Sequence, residues 1–195
     1  MEEKGKIGAK IDVEVERPAK LDSGVCIKSK WDWECYRNGK LLWKETIENI
    51  VTNQGLNRLL DTMFYAGSTT QITTWYVCLF EDNYTPLSTN TYAVPGYDEC
   101  DSADYSGTRK TWTPNAAASS QQMSNSNSKA EFTMTGTLTV YGGALVGATA
   151  GTPQTQGDTA ATNGTLYCSS KFSTSKAVVN GDVLKVTITL TAQDV

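Results

Sequence analysis

The chain of 195 residues carries 17 basic and 21 acidic side chains and no histidine, for a net charge of −4. That length buries a sizeable core without metal or disulfide staples. The missing imidazole excludes histidine-based serine and cysteine triads, most zinc centres and the usual proton shuttle of neutral pH.

Charge is spread unevenly, with ten basic and ten acidic side chains in residues 1–50, three and seven in 51–113, and four and four in 114–195. No stretch is basic enough to act as a footprint for nucleic acid. Met1-Glu2-Glu3-Lys4-Gly5-Lys6 lacks the apolar run of a signal peptide, and no run of about 18 apolar residues reads as a membrane span. Cys26, Cys35, Cys78, Cys100 and Cys168 form an odd set without a C-x-x-C pair. They are expected as small buried residues of a protein made in a reducing cytoplasm, outside membranes.

In the first segment Ile7, Ala9, Ile11, Val13 and Val15 alternate with Lys10, Asp12, Glu14 and Glu16 until Pro18. This period of two predicts a strand. Residues 1–24 are therefore read as an N-terminal strand arm and 25–195 as a single β-sandwich domain. The arm is either an ordinary first strand or one that Ile7, Ile11, Val13 and Val15 help to fasten to the sheet edge of a neighbouring subunit.

Ile27, Ser29, Trp31, Trp33 and Cys35 alternate in the same way, and after Asn38-Gly39 so do Leu41, Trp43, Glu45 and Ile47. Asn-Gly supplies the positive φ angles of a type I′ turn, which predicts a hairpin. Trp31 and Trp33 share the apolar side, so they read as core rather than as a sugar-stacking platform. Leu56, Leu59, Leu60, Met63 and Phe64 follow a helical period, with Asn53 as N-cap and Gly67 as stop, and the helix is expected to lie on the sheet. Trp75 to Phe80 is a short apolar run, predicted as a central strand covered on both faces.

Residues 83–128 are rich in Tyr, Ser, Asn, Asp and Pro and read as surface loops with a short strand near Lys110 to Thr113. Phe132, Met134, Leu138 and Val140 face one way and threonines the other. Ala144 to Val146 is a short strand before a glycine- and threonine-rich loop to residue 164, and Leu166 to Phe172 another. After the turn at Asn180-Gly181, Leu184, Val186, Ile188 and Leu190 form the last strand. The sum is an all-β chain of seven or eight strands, a β-sandwich or jelly-roll-like body with one short amphipathic helix.

No phosphate-binding or dinucleotide-binding glycine motif is present. Asp98, Glu99, Asp101 and Asp104 have the right chemistry for calcium, but Ala103 and Tyr105 stand where its loop needs ligands. They read as a solvated acidic loop. No carboxylate pair is marked out for glycoside hydrolysis, since sequence does not give the separation that chemistry needs. The expectation is a protein that is not an enzyme and needs no cofactor.

Asn49-Ile50-Val51-Thr52-Asn53-Gln54-Gly55-Leu56-Asn57-Arg58-Leu59-Leu60-Asp61, then Trp75 to Phe80 and Asn83-Tyr84-Thr85-Pro86, resembles a segment of small structural proteins of tailed bacteriophages. Leu138 to Gly143 and the stretch from Phe172 onward are similar to the same group, so the resemblance covers residues 27–195 without the arm. It implies a virion structural protein made in the host bacterial cytoplasm. Its first form is a capsid decoration (cement) protein that binds the major capsid protein or neighbouring virion proteins, as a homo-oligomer, with no direct nucleic acid and no membrane. Its alternatives are a tail, collar or fibre-adaptor protein, or a receptor- or carbohydrate-binding module using the loops of 83–128.

Overall fold

Asn38 and Gly39 adopt φ angles of 50° and 75°, the left-handed pair that a type I′ turn requires. They join β1 (Val25–Arg37) to β2 (Lys40–Glu48) in the expected hairpin, with a bulge that leaves Leu42 without a partner opposite Cys35 and Tyr36. The computed structural model describes residues 24–65 and 70–194. The arm residues Ile7, Ile11, Val13 and Val15, and Gly67, lie outside them.

β1 is the partner of the final strand, β10 (Val183–Asp194), over its whole length, from Val25 opposite Asp194 to Tyr36 opposite Val183. The other edge of β10 takes two short strands, β6 (Gln122–Ser124) and β7 (Ala130–Thr133). The second sheet runs in the order β3 (Ile50–Val51), β9 (Thr165–Val178), β8 (Leu138–Gly147), β4 (Trp75–Phe80) and β5 (Lys110–Trp112). All pairings are antiparallel, and the two five-stranded sheets pack face to face as a β-sandwich.

The alternating residues of both sheets meet in the layer between them. Trp31, Trp33 and Cys35 of β1 and Leu184, Val186 and Ile188 of β10 face Val77, Leu79, Val140, Leu145 and Phe172. Trp33 packs edge-on to Phe172 at 4.9 Å and stacks with Trp31 at 5.5 Å. Such aromatic pairs contribute about 1 kcal/mol each beyond the area they bury. Gly143 makes room for them: a Cβ there would stand 2.6 Å from the Cys78 carbonyl oxygen and 2.8 Å from the Trp33 ring.

Four details correct the sequence reading. Phe132 to Val140 is not one strand, because β7 belongs to the first sheet and β8 to the second. The chain crosses between them at Met134 to Thr137, and the alternation survives because both strands point into the same core. β4 has a partner on each side but is not the middle strand, a place held by β8. Among the described residues ten strands form rather than seven or eight, the extra ones being pieces of two to four residues. The helix α1 (Asn53–Phe64) is capped one residue earlier than expected, by Thr52, whose hydroxyl accepts from the Gly55 amide at 3.0 Å.

The fifth correction changes the architecture. Residues 83–109 are not a set of surface loops, because Asn90, Tyr92, Tyr97, Cys100, Tyr105 and Arg109 are buried. Tyr92 and Tyr97, with Phe80, Cys78, Ala144, Val146 and Leu166, form a second core on the outer face of the second sheet. A layer of irregular chain thus covers β4 and β8, as their apolar outer faces require.

Candidate interaction surface

The acidic loop of Asp98, Glu99, Asp101 and Asp104 was expected to be solvated. Glu99 is turned inward, and its carboxylate accepts from Arg109 Nε at 2.8 Å and Nη2 at 2.5 Å, with both side chains under a tenth exposed. Arg109 Nη1 also donates to the Tyr92 hydroxyl and the Pro153 carbonyl, and Nη2 to the Asp158 carbonyl. Burial alone pulls the Arg109 guanidinium down, but the Glu99 hydrogen bonds and surrounding negative groups outweigh it and hold it above its ordinary range. Glu99 therefore leaves the expected solvated set and fastens the outer layer to the 151–158 turn. Asp101 and Asp104 spend their oxygens on the amides of Ala103 and Asp101. Among the described residues no three His, Cys, Asp or Glu side chains gather as a metal cluster would.

The cysteines are free thiols, four of them buried as expected and Cys26 half-buried. Burial pushes Cys35 and Cys168 up to about 11 and Cys78 up to about 12. At neutral pH these three stay protonated, the unreactive form.

What the surface offers instead is apolar. The helix α1 touches β9 through its first turn, where Gly55 lies so close that a Cβ would stand 2.6 Å from the Tyr167 carbonyl oxygen. Leu59, beyond that turn, is still half-buried, but the last turn is open to solvent. Leu60, Met63, Phe64 and Tyr65 are 54%, 65%, 78% and 66% exposed, against the expectation that the whole stripe lies on the sheet. Beside it the end of the sandwich opens into a groove of about 530 Å³ lined by Ile27, Leu59, Met63, Ile72, Trp75, Met123 and Leu190. Among the described residues Arg58 is the one charged side chain of that lining. A groove of this composition suits an apolar side chain or segment.

A second, polar cleft of about 480 Å³ lies between the helix and the outer layer, lined by Asn53, Asn57, Arg58, Asp61, Thr89, Thr91 and Asn163. The third feature is the rim of the first sheet. β2 closes it, and no strand pairs with the outer side of β2 among the described residues. Lys44, Thr46 and Glu48 point to solvent from this strand, while Trp43, Glu45 and Ile47 point inward and are half-buried.

No protein-family model matches the chain, and no curated protein matches it in sequence. Among the described residues no helix is long and apolar enough to cross a membrane. Sequence reasoning missed the apolar helix end, although Leu60, Met63 and Phe64 were in view, because periodicity tells which residues share a face and not how far a helix stays on its sheet.

Proposed function

We propose that the protein is a structural component of a tailed-bacteriophage particle, without catalytic role or cofactor. In its most specific form it is a capsid decoration (cement) protein, made in the host bacterial cytoplasm and carried in the virion as a homo-oligomer. The observation that carries the assembly reading is the apolar end of the sandwich, where the exposed Met63, Phe64 and Tyr65 stand beside an open apolar groove. Surface of that kind marks contact with other proteins. The phage assignment rests on the resemblance of residues 49–61, 75–80, 83–86, 138–143 and the stretch from Phe172 onward, and the major capsid protein or another virion protein is the partner it implies.

Locating the chain in a density map of the particle tests this reading. Density for the sandwich on the outer face of the head is expected, with the end bearing Phe64 turned to the shell. Density at the neck or along the tail would replace the head role by a tail, collar or fibre-adaptor one, and absence from the particle would remove the virion assignment altogether.

A receptor- or carbohydrate-binding role draws its support from the cleft at Asn53, Asn57 and Asn163, whose amides suit hydroxyl groups. Of the tyrosines in the loops of 83–128 expected to serve that role, Tyr92, Tyr97 and Tyr105 are buried. Binding of the purified protein to host cell-surface glycans, lost on changing Asn57 and Asn163 to alanine, is the result that would favour it.

A further inference from the structure

The strands that close the two sheets differ in length in a telling way. β3, β5, β6 and β7 have two to four residues each, short enough to deny a foreign strand a template, whereas β2 has nine. Its inward residues Trp43 and Ile47 remain half-buried, while Trp31, Trp33 and Cys35 of the adjoining β1 are wholly buried. One more strand beyond β2 would cover them.

The sequence contains a segment fitted to that position. Lys10-Ile-Asp-Val-Glu-Val-Glu-Arg17 repeats the pattern of Lys30-Trp-Asp-Trp-Glu-Cys-Tyr-Arg37: lysine, aspartate, glutamate and arginine recur at a constant offset of 20, with apolar residues between the first three. In the structure Lys30, Asp32 and Glu34 of β1 stand opposite Glu48, Thr46 and Lys44 of β2, and Thr46 donates a hydrogen bond to Asp32. Lys10, Asp12 and Glu14 carry the same groups in the same order. Laid antiparallel along the free side of β2, they meet Glu48, Thr46 and Lys44 again, while Ile11, Val13 and Val15 fall on the inner face beside Ile47, Glu45 and Trp43. Shifting the arm by two residues either way, or reversing it, loses at least one of the two opposite-charge pairs on the regular stretch Trp43 to Glu48.

We infer that residues 10–17 of one copy of this chain add as an antiparallel strand to the free edge of β2 in a neighbouring copy. With all of residues 10–17 paired, a chain does not reach its own edge in this register. Past the bulge residue 17 would lie opposite Leu41, level with Tyr36, so the return to Val25 covers the rise of eleven residues, about 36 Å. Eight residues span at most about 29 Å. The contact is of the strand-addition type, with main-chain hydrogen bonds for affinity and the Lys10–Glu48 and Glu14–Lys44 pairs for register. It deepens the assembly reading and rests on it only for the premise that copies of the chain meet.

Cross-linking of the purified full-length protein tests it, so that failure to find the protein in a phage head leaves the outcome untouched. In a Cys26→Ser background, copies bearing Asp12→Cys are mixed with copies bearing Thr46→Cys, Thr46 being exposed on β2. A disulfide between residues 12 and 46 of different copies is expected, with at least tenfold less from Ile11→Cys, which belongs to the opposite face. Reversing the arm charges (Lys10→Glu with Glu14→Lys) is expected to lower the yield about tenfold. Equal yields from positions 11 and 12, no inter-copy link at all, or a link that forms within one doubly substituted chain at high dilution would each overturn the inference.

Discussion

The Arg109 guanidinium and the Glu99 carboxylate meet in a two-pronged ion pair, at 2.8 and 2.5 Å, in a place almost closed to water. The pair ties two stretches without regular structure, 98–109 and 151–158, to each other, since the same carboxylate accepts from the Gly157 amide at 3.0 Å. Regular strands find partners for their backbone groups automatically. This outer layer combines scattered backbone bonds, such as Cys100 N–H to the Leu79 carbonyl, with side-chain ones of this kind.

Arg109→Met leaves Glu99 buried without its counter-charge and strips donors from two carbonyls. A loss of about 3–5 kcal/mol is expected in denaturant unfolding. Adding Glu99→Leu to that variant restores part of the loss, because two uncharged neighbours are cheaper to bury than one lone charge.

Gly143→Ala sets a methyl group against the Cys78 carbonyl oxygen and the Trp33 ring, neither of which has room to move. About 2 kcal/mol or more is expected to be lost. Gly157→Ala, where φ is 70° and nothing lies near, is the comparison: left-handed backbone alone costs about 1 kcal/mol. Thermal midpoints of the two variants give the difference.

Acid titration separates carboxylates of opposite sign. Arg37 donates to Asp182 at 2.7 and 2.8 Å and holds its carboxyl below the ordinary range. A lowered folded value means that this stabilisation is complete above the unfolded value of about 4 and is lost as pH falls through the folded one. Asp182→Asn is therefore expected to be less stable than the parent at neutral pH, with the gap closing in acid, as melting curves from about pH 7 down to about pH 2.5 will record.

Glu81 behaves in reverse. Burial raises its carboxyl, and Asp104, Asp98, Asp101 and Asp82 add to that shift. Its contribution is present below the unfolded value and is lost as pH rises through the folded one. Glu81→Gln is expected to raise the melting temperature at neutral pH by about 1–3 °C and to do nothing in acid.

Strands buried on one face were legible from alternation alone. β1 with Trp31 and Trp33, the Asn38-Gly39 turn and β10 stand where the sequence places them, because one-sided burial and the period-two pattern are the same fact seen twice. Phe132 to Val140 misled for the same reason: the inward direction is preserved while the chain changes sheet. Tyr92, Tyr97 and Tyr105 were read as surface because their neighbours are Ser, Asn, Asp and Gly, and irregular chain buries side chains with no period to betray it. The match between Lys10 to Arg17 and Lys30 to Arg37 lies open in the sequence, yet it acquires meaning only through the register of β1 against β2.

Counting copies of the chain in purified particles, by quantitative mass analysis against the major capsid protein, tests the central claim most directly. A decoration protein repeats with the symmetry of the shell, so on the order of hundreds of copies per particle are predicted. About a dozen or fewer would contradict the head role, and none would contradict the assignment to the particle.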